Sequence, residues 1–158
     1  MHDKPYGRLA LMAALHFVAM YALMYAMVDT FANAVANLNQ VYMAALMTAP
    51  MLVLEVLLMR GMYANRRLNL GIVASGLVLL TGAFLLIRDQ TAIGDRQFLR
   101  SMVPHHAGAI LMCREAPLRD PQLRELCGRI TAGQQAEIEW MRAKLTALDD
   151  GRMLPPPP

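Results

Sequence analysis

The chain has 158 residues, of which 56% are hydrophobic and only 17% are charged. Because a soluble domain of this size carries about 25% charged residues, the composition indicates a membrane protein and excludes a disordered, collagen-like or disulfide-rich chain. The formal net charge is +3 and the basic residues form no single stripe, so we expect no nucleic-acid partner. A second unusual feature is the 14 methionines, against 4 phenylalanines and 1 tryptophan.

Three long apolar runs cover residues 9–28, 41–59 and 68–87. Each is close to the roughly 20 residues that a helix needs to cross about 30 Å of hydrocarbon. A segment in lipid must satisfy its own backbone hydrogen bonds, so each run is predicted to be a helix. Residues 1–90 are therefore expected to form a three-span region in the lipid bilayer.

The basic residues beside these runs predict the orientation. Lys4 and Arg8 precede the first run and three arginines separate the second from the third, whereas residues 29–40 contain neither lysine nor arginine. Because positively charged flanks stay cytoplasmic, the N-terminus is predicted inside and the chain after Arg88 outside. We expect an integral protein of a bacterial cytoplasmic membrane with a periplasmic C-terminal domain.

The first run has an alternative interpretation as a cleaved signal peptide. Ala32-Asn33-Ala34 resembles a signal-peptidase site. However, the run is longer than the usual 7–15 apolar residues of a signal, which favours an anchor. Either interpretation leaves the C-terminal domain on the outside.

Two helices are predicted after the spans, over residues 94–149. Asp95 is expected to cap a first helix that ends near Ala116. Asp120 followed by Pro121 is typical of a helix start, because a side-chain cap precedes a proline in the first turn. The second helix is expected to end near Leu148. The fold class predicted is all-α: three transmembrane helices, then an extracytoplasmic antiparallel helical hairpin.

The tail after the second helix is predicted to have no regular fold. Gly151 and the four terminal prolines end the helix. Residues 150–158 are therefore expected to be a disordered, proline-rich segment of polyproline character.

One face of each predicted helix carries side chains with metal-binding chemistry. At about 100° per residue, one face of the first helix holds Phe98, Met102, His105, His106, Ala109, Met112 and Cys113. The matching stripe of the second helix runs from Leu123 to Leu148 and includes Met141; it is apolar except for Gln134 and Glu137. Because a buried polar group without a partner costs about 1–3 kcal/mol, the histidines are the predicted partners of Gln134 and Glu137.

Paired histidines beside methionines favour copper over zinc. Imidazole and thioether together suit Cu(I), whereas zinc prefers thiolate, imidazole and carboxylate ligands. A carboxylate or amide behind a ligating histidine would fix its tautomer. The alternative is an ordinary helix pair whose histidines are satisfied by hydrogen bonds within the protein.

These residues resemble a known family. The segments are Asp95-x-x-Phe98-x-x-x-Met102-x-Pro104-His105-His106-x-x-Ala109-Ile110 and Ile130-x-x-x-Gln134-x-x-Glu137-Ile138-x-x-Met141. They are similar to domain-of-unknown-function family 305 (DUF305), here as a membrane-anchored branch with three N-terminal spans. The resemblance implies a helical, ferritin-like domain outside the cytoplasm, with several members linked to copper binding and copper resistance.

The resemblance also implies a ligand set. The candidate metal ligands are Met102, His105, His106 and Met141, with Met112 added from the same helix face. Asp95, Gln134 and Glu137 are the expected polar support for those ligands. The implied cofactor is copper, as Cu(I).

The two cysteines leave three interpretations open. Cys113 and Cys127 fall at similar heights in the predicted hairpin, and an oxidising compartment would permit a disulfide. Cys113 could instead be a soft metal ligand. The third interpretation, two small buried residues without a partner, is favoured at this stage.

Methionines also form stripes within the spans. Met12, His16, Met20, Met24 and Met27 share one face of the first span, and Met43, Met47 and Met51 share one face of the second. Ctr-type copper importers have a similar Met-x-x-x-Met pattern and three spans, but the opposite orientation. The residues of a metal path would be His16, Met20, Met24, Met43, Met47 and Glu55. Methionine as packing material is the favoured explanation.

Two further features of the spans concern contacts. His16 and Glu55 are the ionisable residues within the spans, and both are expected in the cytoplasmic half, where two interpretations are open. They could pair with each other, or Glu55, five residues before Arg60, could simply reach the interface. Gly71-x-x-x-Ser75 on the third span permits close helix contact, either within the monomer or in a homo-oligomer.

Three functions are therefore considered. The first is a membrane-anchored protein that binds copper for sequestration, handover or tolerance, exchanging it with a donor or acceptor protein. The second is a copper transporter with a methionine-lined path, and the third is a structural or regulatory membrane protein without a metal. We expect no enzyme, because we find no nucleophile–base pair, phosphate loop, cofactor fingerprint or Glu-x-x-His motif.

Overall fold

The computed structural model describes residues 4–158, and within these residues it contains five α-helices and no strand. In chain order the helices are α1 (Lys4–Leu23), α2 (Leu38–Leu58), α3 (Arg66–Arg88), α4 (Asp95–Glu115) and α5 (Pro121–Asp150). Two short 3-10 helices, Met24–Met27 and Phe31–Asn33, lie between α1 and α2. The prediction of an all-α fold is confirmed.

The first three helices are long and apolar enough to cross a membrane. The qualifying segments are Pro5–Met27, Leu38–Leu58 and Arg66–Arg88. Their limits lie within a few residues of the predicted runs. At the start of α3, the side chain of Asn65 accepts hydrogen bonds from the backbone nitrogens of Arg67 (3.1 Å) and Leu68 (3.0 Å), which caps the helix.

The chain forms two compact units. The first contains the residues up to Met24 together with Asn39–Thr91, and the second contains Tyr25–Leu38 together with Ala92–Pro158. The division differs in one respect from the sequence-based one, which assigned Tyr25–Leu38 to the spanning region. In the structure this segment packs with the C-terminal helices.

In the first unit, α2 and α3 approach closely at Gly76. A Cβ added at Gly76 would lie 2.7 Å from Val53 Cγ2 and 3.5 Å from the carbonyl oxygen of Ala49. By contrast, a Cβ added at Gly71 would meet no atom within 4 Å. Of the two contacts that the sequence left open for Gly71 and Ser75, the one within the monomer does not form at Gly71, and the small residue at the α2 contact is Gly76.

In the second unit, α4 and α5 run antiparallel. Arg96 pairs with Asp149, His106 with Glu137, and Cys113 with Cys127. Residues later in α4 therefore contact residues earlier in α5, as antiparallel helices require. The buried core between them consists of Leu99, Val103, Ala107, Ile110, Ile138 and Met141. Val28 and Val35, from the segment that follows α1, pack against this core and enlarge it.

The predicted apolar stripe of α5 is only partly correct. Ile138 is 2% exposed and Met141 is 5% exposed, so the middle of the stripe is core. Leu123 and Leu126 are 47% and 42% exposed, because the first turns of α5 lie beyond the buried cluster.

The helix ends follow local capping chemistry. Asp120 caps α5 as predicted, accepting from the backbone nitrogens of Gln122 (2.8 Å) and Leu123 (3.1 Å). Asp95 is not the cap of α4: the cap position is Gly94, and Asp95 lies in the first turn. A carboxylate in the first turn still favours the helix through the helix dipole. Gly151 ends α5 with φ 66°, a left-handed conformation that suits glycine.

The proline tail forms a hydrogen bond with α5. The indole Nε1 of Trp140 donates a hydrogen bond to the carbonyl oxygen of Pro155 over 3.0 Å. Trp140 is half-buried and also packs against the core of the second unit.

Candidate metal site on helices α4 and α5

His106 lies at the centre of the α4–α5 interface with both ring nitrogens engaged. Its Nδ1 is 2.9 Å from the carbonyl oxygen of Met102, one turn earlier on α4. Its Nε2 is 2.7 Å from Glu137 Oε2, across the interface. His106 is 9% exposed, whereas the Glu137 side chain is 44% exposed and reaches the interface from the solvent side. The predicted contact between a histidine and Glu137 is confirmed.

The two contacts restrict the protons on His106. A backbone carbonyl only accepts, so Nδ1 carries a hydrogen and donates to Met102. A further proton lies between Nε2 and Glu137, on the imidazole or on the carboxyl group. In either arrangement no ring nitrogen has a free lone pair, so His106 as folded is not available to bind a metal.

His105 is the exposed histidine of the pair. Its ring packs edge-on to that of His106, with the ring centroids 5.9 Å apart. Met102 precedes it by three residues on α4, a spacing that makes side chains neighbours on a helix. Met102 is half-buried at the edge of the core. His105 and Met102 are therefore neighbouring imidazole and thioether donors with access to solvent.

The other predicted methionine ligands lie apart from this pair. Met141 is 5% exposed and belongs to the hydrophobic core, where its thioether packs among aliphatic side chains. Met112 is 55% exposed, and it lies seven residues beyond His105. At 1.5 Å per residue this is about 10 Å along the helix. The structure does not bring the predicted ligands together around one point.

Two of the predicted supporting residues also lie outside the histidine contacts. Asp95 is exposed and lies eleven residues before His106, about 16 Å along the axis of α4. Gln134 is half-buried one turn from Glu137. Among residues 4–158, the hydrogen bonds of the two histidines go to Met102 and Glu137 and none goes to Gln134.

A metal site built only from imidazole, thiolate and carboxylate groups is not found. Within the described part of the chain, no group of three or more histidine, cysteine, aspartate or glutamate side chains is placed to hold one ion. Those four residue types do not include methionine, whose thioether can also bind a soft metal ion. A soft-metal site here therefore depends on methionine.

Cys113 and Cys127 form a disulfide bond between α4 and α5. Their Cα atoms are 5.2 Å apart, within the usual range for a disulfide. The favoured interpretation as two unpaired residues is wrong, and neither sulfur is available as a soft ligand. The bond closes the hairpin beside its turn.

The segment after α1 forms a polar network with α4 and α5. Arg142 Nη2 donates to the carbonyl oxygen of Ala32 (2.6 Å) and to Asn33 Oδ1 (2.7 Å). Asn33 Nδ2 donates to Asp29 Oδ1 over 2.6 Å, and the Asp29 side chain is only 4% exposed. Arg114 approaches the same carboxylate at 4.0 Å. We name Asp29, Asn33 and Arg142 the loop clasp.

Sequence reasoning missed the loop clasp. It treated residues 29–40 only as a loop without basic residues. The one available signal is the density of asparagine in this loop, since asparagine bonds its neighbouring backbone and favours turns. A further contact, from the backbone nitrogen of Leu38 to Gln97 Oε1 (3.0 Å), also ties the loop to α4.

The ionisable residues within the spans do not pair with each other. Glu55 Oε1 accepts a hydrogen bond from Tyr63 Oη over 3.1 Å. Burial raises the pKa of Tyr63, and the hydrogen bond to Glu55 and its charge raise it further. His16 lies instead with Arg8 and Met12 along a shallow apolar groove on the surface of α1. Of the two interpretations left open for Glu55, the pair with His16 is therefore wrong.

The methionines of the spans lie mostly on outer surfaces of the first unit. Met43 and Met47 on α2 are 37% and 43% exposed, whereas Met20 and Met24 on α1 are half-buried. Exposed side chains do not enclose a path within the monomer. This placement favours packing over a path for metal through the monomer.

Comparisons with known proteins agree with the family resemblance. Residues 86–150 match a family described as a domain of unknown function, DUF305. An uncharacterized protein, L153, of Acanthamoeba polyphaga mimivirus is 33% identical over 141 residues, which cover 85% of this chain and 89% of the viral protein. The similarity therefore extends beyond the family region into the helices before it. No solved structure matches the chain.

Proposed function

The chain belongs to the DUF305 family, and from this premise we propose that it is a membrane-anchored protein whose family domain binds Cu(I) through His105 and Met102. The domain acts outside the cytoplasm, as the basic residues beside the spans predict. Its role is to hold copper and pass it on, without catalysis.

One observation carries this proposal: His105 is exposed, whereas the adjacent His106 is buried and hydrogen-bonded through both ring nitrogens. The partners of His106 are Met102 and Glu137. Thioether is a soft ligand that selects Cu(I) and imidazole also suits copper, and His105 and Met102 are neighbours on one turn of α4. The ring of His106 lies edge-on to that of His105, with the ring centroids 5.9 Å apart.

A two-residue site suits handover better than permanent storage. His105 and Met102 supply two donors, so a bound ion keeps positions for ligands from a donor or acceptor protein. The two proposed ligands replace the larger ligand set predicted from the sequence. Met141 is left out because it is buried in the core, and His106 because both of its ring nitrogens are engaged.

The test is a Cu(I) competition experiment on the full chain in a neutral detergent, under anaerobic conditions with a chromogenic chelator. His105→Ala and Met102→Leu should each weaken Cu(I) binding by about tenfold or more, since second-shell losses alone reach this size. Met112→Leu is the matched control, because Met112 is an exposed methionine on the same helix. It should bind Cu(I) as the unmodified chain does.

Two outcomes would contradict the proposal. One is unchanged Cu(I) affinity in the His105→Ala and Met102→Leu variants. The other is equal weakening by Met112→Leu, which would indicate general methionine binding rather than a site.

A second candidate function is supported by the same histidine contacts. Because both nitrogens of His106 are satisfied within the protein, the domain is also compatible with a structural or regulatory role that involves no metal. Thermal unfolding with and without Cu(I) separates the two functions. A shift of the midpoint that His105→Ala removes supports copper binding, and no shift at saturating Cu(I) supports the structural role.

A further inference from the structure

A groove runs between the end of α2 and the beginning of α3, in the first unit. Its volume is about 480 Å³, which is within the usual range for small-ligand sites. Val56 and Leu57 on α2, with Leu70 and Val73 on α3, form an apolar floor. These floor residues belong to membrane-spanning segments, so the floor lies at the level of lipid acyl chains.

Two arginines stand at the open end of the groove. Arg60 lies two residues beyond the span Leu38–Leu58, and Arg66 is the first residue of the span Arg66–Arg88. Their guanidinium groups are therefore at the level of lipid headgroups. Both side chains are exposed, and among residues 4–158 neither forms an ion pair.

The carboxylate of Glu55 forms no ion pair with either arginine. Glu55 accepts the hydrogen bond of Tyr63 Oη, and Tyr63 is 4% exposed beside the groove. Because burial and then Glu55 raise the pKa of Tyr63, this phenol stays neutral near physiological pH and adds no negative charge. The mouth of the groove therefore presents two arginines that form no ion pair among residues 4–158.

Hydrogen bonds fix the loop that shapes the groove. Asn69 Nδ2 donates to the carbonyl oxygen of Tyr63 over 2.8 Å. Tyr6 Oη accepts from the backbone nitrogen of Asn65 (3.0 Å) and donates to Asn69 Oδ1 (2.8 Å). The groove is thus formed without a ligand, which lowers the entropic cost of binding.

We propose that this groove binds one anionic phospholipid, with its phosphate between Arg60 and Arg66 and an acyl chain along the floor. Basic pockets between membrane helices bind acidic lipid headgroups. An apolar floor at acyl depth favours a lipid over a soluble anion. Two unpaired arginines favour an acidic headgroup over a zwitterionic one.

The test counts bound lipids by native mass spectrometry on the full chain in a neutral detergent. Dioleoyl phosphatidylglycerol should bind more tightly than dioleoyl phosphatidylcholine. The double variant Arg60→Gln/Arg66→Gln should bind phosphatidylglycerol about thirtyfold less tightly, the effect of two basic residues at an acidic surface. The control is Arg8→Gln/Arg67→Gln, which removes the same charge from exposed arginines outside the groove and should change binding little.

A second pair of variants tests the floor. Leu70→Trp should fill the groove and reduce lipid binding, whereas Val78→Trp should not, although both positions are on α3 and are 71% and 72% exposed. Helix content by circular dichroism checks that each variant folds.

Four results would overturn the proposal. The first is equal binding of the two lipids, and the second is an equal loss in the Arg8→Gln/Arg67→Gln control. The third is displacement of phosphatidylglycerol by millimolar inorganic phosphate, which would indicate a soluble-anion site. The fourth is a chain dimer that Leu70→Trp dissociates, which would assign the groove to a second copy.

Discussion

His106 Nε2 lies 2.7 Å from Glu137 Oε2, and this contact joins α4 to α5 at the middle of the family domain. Replacing Glu137 with leucine would leave the Nε2 of a buried histidine without a partner. We expect the free energy of unfolding to fall by about 1–3 kcal/mol, the cost of an unsatisfied buried polar group. The measurement is urea unfolding of the full chain in detergent, followed by the fluorescence of Trp140, its single tryptophan.

Glu139→Leu provides the control for this contact. Glu139 is exposed on the same helix, two residues away, and accepts a hydrogen bond from Gln135 at the surface. Its loss should change the unfolding free energy by about 0.5 kcal/mol or less. Equal effects of the two leucine substitutions would show that the His106 contact contributes nothing particular to stability.

The disulfide between Cys113 and Cys127 provides a second prediction. It closes a loop with a sequence separation of 14, for which the loss of unfolded-chain entropy amounts to about 3 kcal/mol. Reduction, or the double variant Cys113→Ala/Cys127→Ala, should lower the stability of the domain by about that amount. The Cys→Ala variant should also become insensitive to reductant.

Thiol counting checks the bond itself. The chain has 2 cysteines, so the unreduced, denatured protein should show no maleimide-reactive thiol, and the reduced protein should show both. Two reactive thiols before reduction would contradict the structure at this point.

The spans, the hairpin and the Glu137 contact were predictable because each depends on a local pattern. Apolar length fixes the spans, Asp120 followed by Pro121 marks the start of α5, and two polar residues in an apolar stripe predict a partner across the interface. The ligand set was not predictable from these patterns. A helical wheel places Met141 on the same face of α5 as Gln134 and Glu137. It does not show that α4 packs over Met141 and leaves it only 5% exposed.

The loop clasp was missed, and the disulfide was only one of three open interpretations, for a related reason. Both join residues distant in sequence, and periodicity within one helix carries no information about such contacts. Arg142 reaches Ala32 and Asn33 across more than a hundred residues. Loops between helices are usually mobile surface segments. The loop after α1 differs, because Val28 and Val35 pack against the core of the second unit.

The contact at Gly76 gives a third prediction. A Cβ there would lie 2.7 Å from Val53 Cγ2, a branched side chain with little freedom to move. Gly76→Ala should therefore separate α2 from α3 and destabilise the first unit by about 1–3 kcal/mol, as overpacking does. Gly71→Ala is the control, because a Cβ there meets no atom within 4 Å and alanine favours the helix.

Thermal unfolding in detergent, followed by loss of helix content, measures the difference between these two variants. Gly76→Ala should unfold at a lower temperature than the unmodified chain, and Gly71→Ala at the same or a higher one. An unchanged midpoint for Gly76→Ala would mean that the helices do not meet at this glycine.

The loop clasp gives a fourth prediction, a coupling between Asn33 and Arg142. Arg142 Nη2 lies 2.7 Å from Asn33 Oδ1, and Asn33 in turn donates to the buried carboxylate of Asp29. In a double-mutant cycle with Asn33→Ala and Arg142→Ala, we expect a coupling free energy of about 1 kcal/mol, since the two side chains are in direct contact. A cycle with Arg124→Ala, an exposed arginine nearer the turn, should give a coupling near zero.

The clasp also bears on the signal-peptide alternative. A cut after Ala34 would remove Asp29 and Asn33 from the domain, together with Val28 from its core. If the mature protein keeps its first span, its intact mass includes residues 1–34. Because Arg142 holds the Tyr25–Leu38 segment, a protease should then cleave this segment faster in the Arg142→Ala variant than in the unmodified chain. The contrary result is a mature protein that begins at Val35 and whose α4–α5 domain is as stable as in the uncleaved chain. It would show that the clasp is not needed to hold the domain together.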